Sequence, residues 1–140
     1  MPAPGAAKDD GSRTILLVED DRLLRKAAES ALRQRGFRVL TATNGDEALR
    51  TAAAEIPNLV LLDLVMPGLP GYQVLRALKD NDATAAIPVV VLTNLGQDSD
   101  VQRALDAGAV AYAIKSNLAL KELVALIRRV LLTPGPPPGT

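Results

Sequence analysis

Histidine and cysteine are both absent from this 140-residue chain. Without cysteine there are no disulfides and no thiolate metal sites. Without histidine the commonest catalytic base and the commonest zinc ligand are missing. Aromatics are limited to Phe37, Tyr72 and Tyr112, too few for a stacking platform for single-stranded nucleic acid. Neither sign of charge is in excess, with 16 Lys plus Arg against 16 Asp plus Glu, so bulk charge points to neither nucleic acid nor an anionic membrane surface as a partner. No apolar stretch is long enough to span a bilayer, and Met1 to Ser12 lacks the apolar segment of a signal peptide. The expected compartment is the cytoplasm.

What is present describes one ordinary globular domain, 48% hydrophobic and 23% charged. Residues 1–12 are rich in Ala, Pro, Gly and charge without periodicity and are expected to be disordered. Residues 133–140 are rich in Pro and Gly and read as a frayed tail or a linker. The domain itself is expected over 13–132.

Between these ends, short apolar runs alternate with helix-period segments. Strands are expected at Thr14 to Val18, Phe37 to Thr41, Leu59 to Leu62, Val89 to Leu92 and Val110 to Ile114. Leu24, Ala27, Ala28, Ala31 and Leu32 mark the first helix, which Gly36 stops. Asn44 caps a second helix carrying Ala48, Leu49, Ala52 and Ala53. The third strand leads into a loop with a Pro67-Gly68 turn signal. Val74, Leu75 and Leu78 mark the third helix. Val101, Ala104 and Leu105 mark a fourth that stops near Gly108, and Leu120, Leu123, Val124, Ile127 and Leu131 stripe the fifth. Continuous rather than alternating apolar strands require both sheet faces to be covered. The fold class is therefore α/β, a (βα)5 doubly wound five-stranded parallel sheet.

Four of these runs end in polar residues: Glu19 and Asp20, Asp63, Thr93, and Lys115. In a parallel sheet all four ends emerge at the carboxyl edge, where such folds bind ligands. Three clustered carboxylates repel one another unless a cation neutralises them. Mg²⁺ accepts oxygen ligands, keeps several waters and pairs carboxylates with phosphate. A carboxylate is also a competent phosphoryl acceptor. Taken singly, each residue has a plainer role: a turn cap for Asp63, a charge cluster favoured by the dipole of the next helix for Glu19 and Asp20, a turn or helix cap for Thr93, a solvated surface lysine for Lys115, a core aromatic for Tyr112.

Together, Ile15-Leu16-Leu17-Val18-Glu19-Asp20-Asp21, Leu59-Val60-Leu61-Leu62-Asp63-Leu64-Val65-Met66-Pro67-Gly68, Val91-Leu92-Thr93, and Gly108-Ala109 with Tyr112 and Lys115 resemble the response-regulator receiver (CheY-like) family of two-component signal transduction over residues 13–132. The resemblance implies the flavodoxin-like strand order 2-1-3-4-5. It implies that Asp63 accepts a phosphoryl group from a histidine kinase or phosphotransfer protein. Asp20, Asp63, Glu19 and the backbone carbonyl of Val65 would bind Mg²⁺, with Mn²⁺ as a substitute. Thr93 and Lys115 would contact the phosphoryl oxygens, and Thr93 and Tyr112 would act as the switch. Output would leave through the helix from about Gln97 to Ala107, the strand Val110 to Ile114 and the helix Leu118 to Leu132, to a downstream protein partner or a second copy. The implied module is not an enzyme, beyond assisting its own phosphoryl transfer and dephosphorylation.

Two positions depart from the family pattern. Ser116 replaces the usual proline after the lysine, which bears on the Lys115-Ser116 peptide bond. Asn94 replaces the usual small residue after the threonine. Rival functions fit less well. A phosphatase of the haloacid-dehalogenase type wants a second Asp two residues after the first, where Val65 stands. A nucleotide-binding module wants a Gly-rich loop where Glu19-Asp20-Asp21 stands. A non-phosphorylated receiver-like scaffold would not need the intact acidic set.

Overall fold

The computed structural model describes residues 13–66, 68–93, 98–115 and 119–132, with residues 98–100 described by their backbone. Five strands alternate with five helices: β1 (Thr14–Val18), α1 (Arg22–Gln34), β2 (Arg38–Ala42), α2 (Gly45–Glu55), β3 (Leu59–Asp63), α3 (Gly71–Asp80), β4 (Val89–Thr93), α4 (Asp98–Asp106), β5 (Ala111–Ile114) and α5 (Leu120–Leu132). All pairings are parallel, in the order β2-β1-β3-β4-β5. The expected sheet and strand order are both present. Residues 1–12, Pro67, Asn94, Gln97, Ser116, Leu118 and 133–140 lie outside the described residues, and with them the Lys115-Ser116 bond.

β1, β3 and β4 are buried along their whole length because both sheet faces are covered. One core, with Leu16, Val60, Leu62, Leu75 and Val91, lies under α2, α3 and α4; the other, with Ile15, Leu32, Leu61, Val90 and Ile127, lies under α1 and α5. Strand bounds shift slightly from expectation. Phe37 is buried but precedes β2, exposed Val110 precedes β5, and Asp63 and Thr93 are the last residues of their strands rather than loop residues.

The apolar stripe expected on α1 is buried only at Ala28 and Leu32; Leu24 is 45% exposed and Ala27 is exposed. Helical spacing assigned a face correctly but not its extent. The first turn is capped by Asp21 through bonds from the Leu23 and Leu24 N–H groups, and its apolar residues Leu23 and Leu24 stay exposed. Asn44 caps α2 as expected, accepting from Glu47 N at 2.9 Å. Gly36, at φ 93°, follows the end of α1 in a conformation that favours glycine.

α2 ends less comfortably. Its C-cap, Ile56, has φ 44° in the left-handed region, and its N–H bonds to Ala52 O at 2.9 Å. A β-branched side chain there costs about 1–2 kcal/mol. Ile56 is 49% exposed, so it gains little burial in return. Ile56→Gly is therefore expected to raise the urea midpoint by an amount equivalent to about 1 kcal/mol at unchanged m-value. A lowered midpoint would contradict this account of the helix end.

Candidate phosphoacceptor and metal site

The register of the sheet assembles the site. Val18 pairs with Leu62, Asp63 with Leu92, and Thr93 with Ile114, so Glu19, Asp63, Thr93 and Lys115 all stand at the carboxyl edge. Glu19 continues the β1 ladder through its N–H to Ala42 O at 3.0 Å, and Leu64 continues β3 through its N–H to Leu92 O at 2.9 Å. Backbone bonds thus fix the main chain at Glu19 and Leu64 independently of the side-chain contacts.

Carboxylate oxygens of Glu19, Asp20 and Asp63 lie within 4.8 Å of one another. Glu19 and Asp63 are each 2% exposed, whereas Asp20 faces solvent. The Lys115 ammonium bridges the two buried carboxylates, 2.9 Å from Glu19 Oε1 and 3.1 Å from Asp63 Oδ2. Asp63 Oδ1 accepts a hydrogen bond from Val65 N at 3.0 Å, and Glu19 Oε2 accepts one from Asp21 N at 3.1 Å. With all four groups ionised, three carboxylates against one ammonium leave two net negative charges. An all-oxygen donor set with that charge and an open, solvent-facing side fits a hard divalent cation that retains waters.

Burial raises the pKa of Asp63 from its ordinary 3.8 to about 6, and the neighbouring Glu19 charge adds to the rise; the Val65 hydrogen bond and Lys115 act against it. Burial works to lower the pKa of Lys115, but its bonds to Glu19 and Asp63 and their charges raise it overall. The lysine therefore stays charged.

The structure brings together Glu19, Asp20, Asp63 and Lys115, and it sets Thr93, 4% exposed, at the end of the neighbouring strand. Tyr112 is on β5 but 45% exposed, so it is not the core aromatic that its type alone suggests. The Val65 N–H, rather than its carbonyl, is the group seen in contact with Asp63.

Two supporting residues escaped the sequence reading. Arg25 Nη1 donates to Glu19 O at 3.0 Å and tethers the acidic loop to α1. Gly71 opens α3 so close to the acceptor loop that a Cβ there would lie 2.6 Å from Leu64 Cα and 2.8 Å from Asp63 O. Its N–H also bonds Leu64 O at 3.2 Å. A Pro-Gly pair before an apolar helix is a signal of a helix start, but carries no sign of this backbone contact.

Comparison with known proteins agrees with this geometry. The sequence profile of the response regulator receiver domain matches residues 15–128. The Probable transcriptional regulator ycf27 of Pyropia yezoensis is 42% identical over 118 residues, which are 84% of this chain and 46% of that protein. The phosphate regulon transcriptional regulatory protein PhoB of Escherichia coli K12 is 39% identical over 120 residues, 86% of this chain and 52% of that protein. The chain thus spans about half the length of the curated relatives it matches. Among solved structures, the receiver domain of the sensor histidine kinase PA1611 from Pseudomonas aeruginosa, which has a magnesium ion coordinated in its active site cleft, superposes with a TM-score of 0.80 at 29% identity. The match covers 86% of this chain and 98% of that one.

Two outcomes follow. Gly71→Ala should cost about 1–3 kcal/mol, because backbone atoms cannot yield to the added methyl; unchanged urea stability would show that the loop has slack. The second concerns Asp63. Its folded pKa lies above its unfolded one, so the stability it contributes is present below pH 3.8 and lost as pH rises through about 6. Metal-free Asp63→Asn should therefore be more stable than wild type at pH 7.5, by about 1–3 kcal/mol, with the difference fading below pH 4. Equal stability at pH 7.5 would contradict a strained buried carboxylate.

Proposed function

The chain belongs to the response-regulator receiver family, and we propose that its carboxyl-edge site is a Mg²⁺-dependent phosphoacceptor with Asp63 as the acceptor. The observation that carries the reading is the gathering of two further carboxylates, Glu19 and Asp20, and the Lys115 ammonium around the buried carboxylate of Asp63.

Glu19, Asp20 and Asp63, with the Val65 carbonyl, would hold the ion. Bound there, Mg²⁺ (or Mn²⁺) would offset charge on the transferring phosphoryl group. An oxygen of Asp63 attacks the phosphorus of a phosphohistidine on a histidine kinase or phosphotransfer protein. The P–N bond breaks, an acyl phosphate forms, and the imidazole takes a proton as it leaves. Lys115, already against Asp63, pairs with the incoming phosphoryl oxygens as a compact point charge. Thr93 supplies a hydroxyl from the next strand. The module is a signalling domain of the cytoplasm that assists only its own phosphorylation and dephosphorylation.

Thr93 lies at the end of β4, just ahead of α4, and Tyr112 lies on β5. A new dianion at Asp63 can therefore bias the α4-β5-α5 face by contacting its two arrangements differently. Exposed Leu105, Val110, Tyr112 and Leu120 give this face an apolar surface for a downstream protein or a second copy.

Mg²⁺ titration by calorimetry should show one weak site in wild type and in the exposed control Asp80→Ala, and binding weakened at least about tenfold in Asp20→Ala. With Mg²⁺ and beryllofluoride, amide signals of Thr93, Tyr112 and Val101 to Leu105 should shift. Equal Mg²⁺ affinity in Asp20→Ala would contradict the metal site. Shifts confined to the neighbourhood of Asp63 would contradict the coupling.

A further inference from the structure

The three carboxylates of the site are not held equally. Glu19 and Asp63 share the Lys115 ammonium, at 2.9 and 3.1 Å, and each also accepts a main-chain hydrogen bond, from Asp21 N and Val65 N respectively. Asp20 has neither support: among the described residues its exposed side chain has no hydrogen-bond or ion-pair partner. Repulsion from the two neighbouring carboxylates works to drive it away. What keeps its carboxylate within 4.8 Å of the other two is therefore its main chain.

That main chain leaves the sheet at Glu19, whose N–H bonds Ala42 O, and enters α1 at the cap Asp21. Between these points two carbonyls face a single donor. Arg25 Nη1 lies 3.0 Å from Glu19 O and 3.4 Å from Asp20 O, the first being the stronger bond. Arg25 stands one helical turn after Asp21, and its N–H bonds Asp21 O at 2.9 Å, so the guanidinium reaches back over the loop from a fixed stem. Arg25 is half-buried, whereas the other cations at the start of α1, Arg22 and Lys26, are exposed. A hydrogen bond from a charged donor is worth more than a neutral one, which suits Arg25 to the tether.

We propose that Arg25 is the positioning residue for the metal ligand Asp20, holding the Glu19-Asp20 main chain so that the Asp20 carboxylate already stands beside Asp63 when the ion arrives. The proposal rests on the Mg²⁺ reading of the site given above. Groups that orient metal ligands from behind change affinity by about ten- to a hundredfold without touching the ion. Charge and tether act in opposite directions here. A guanidinium near a divalent ion repels it, so by Coulomb's law alone its removal tightens binding. Removal of the tether frees Asp20 to swing away from like charges and weakens binding. The sign of the change separates the two roles.

The test is Mg²⁺ titration of the full chain, followed by calorimetry and amide NMR. Arg25→Gln should bind Mg²⁺ about tenfold more weakly than wild type, and Arg25→Lys, which keeps the charge and a donor, should recover part of the loss. Arg22→Gln removes the same charge from an exposed residue that donates to neither carbonyl, and should bind as wild type. Without metal, the amide signals of Asp20 and Asp21 should shift in Arg25→Gln while those of β3 stay in place, the mark of a loosened loop on an intact fold. In an Asp20→Ala background, Arg25→Gln should cost less affinity than it does in wild type. Equal or tighter Mg²⁺ binding in Arg25→Gln would overturn the proposal. So would an undiminished loss in the Asp20→Ala background, which would mark a general effect on the fold. A wild-type chain with no Mg²⁺ site, or Asp20→Ala binding as wild type, would overturn the metal reading itself and this proposal with it, a failure visible before Arg25 is changed.

Discussion

The buried contact between Asp63, Glu19 and Lys115 is the constraint around which this molecule is organised. Two carboxylates, each almost wholly removed from solvent, share one ammonium at 2.9 and 3.1 Å. One positive charge cannot neutralise both, and Asp20 adds a third carboxylate at the rim. Breaking such a pair on one side leaves an uncompensated charge, while keeping it costs desolvation. Burial accordingly raises the pKa of Asp63 to about 6. A site so arranged has higher affinity for anything that brings positive charge, and its chemistry follows from that excess.

The rest of the fold holds this arrangement in place against its own repulsion. The parallel ladder carries Glu19 and Leu64 one bond past the last paired residues, which fixes the backbone on either side of the site. Asp21 caps α1 while its N–H bonds Glu19, so one residue serves both helix and site. Arg25 and Gly71 act from the flanking helices, one by donating to the acidic loop, the other by letting α3 approach the Asp63 backbone.

Much of this was legible in the residues. Continuous apolar runs gave the buried strands, because only a sheet covered on both faces tolerates them, and the polar residue closing each run gave the edge. Resemblance to the receiver family then supplied strand order and roles. What pattern could not supply was contact. The exposed first turn of α1 has the same spacing as its buried half, so periodicity alone does not set how far burial extends. Gly71 reads as a helix start until Leu64 is placed 2.6 Å from its missing Cβ. Ile56 carries no sequence sign of its left-handed backbone beyond Pro57 after it. Tyr112, by type a core residue, is turned outward on β5.

The central claim is that the strained Asp63 carboxylate is the acceptor, and intact-mass measurement after incubation with acetyl phosphate tests it most directly. With Mg²⁺ the wild-type chain should gain the mass of a single phosphoryl group, lose it slowly to hydrolysis, and gain none when the metal is chelated. Asp63→Asn should gain none under either condition. A full phosphoryl adduct on Asp63→Asn, or one on wild type that forms equally well without metal, would contradict the account.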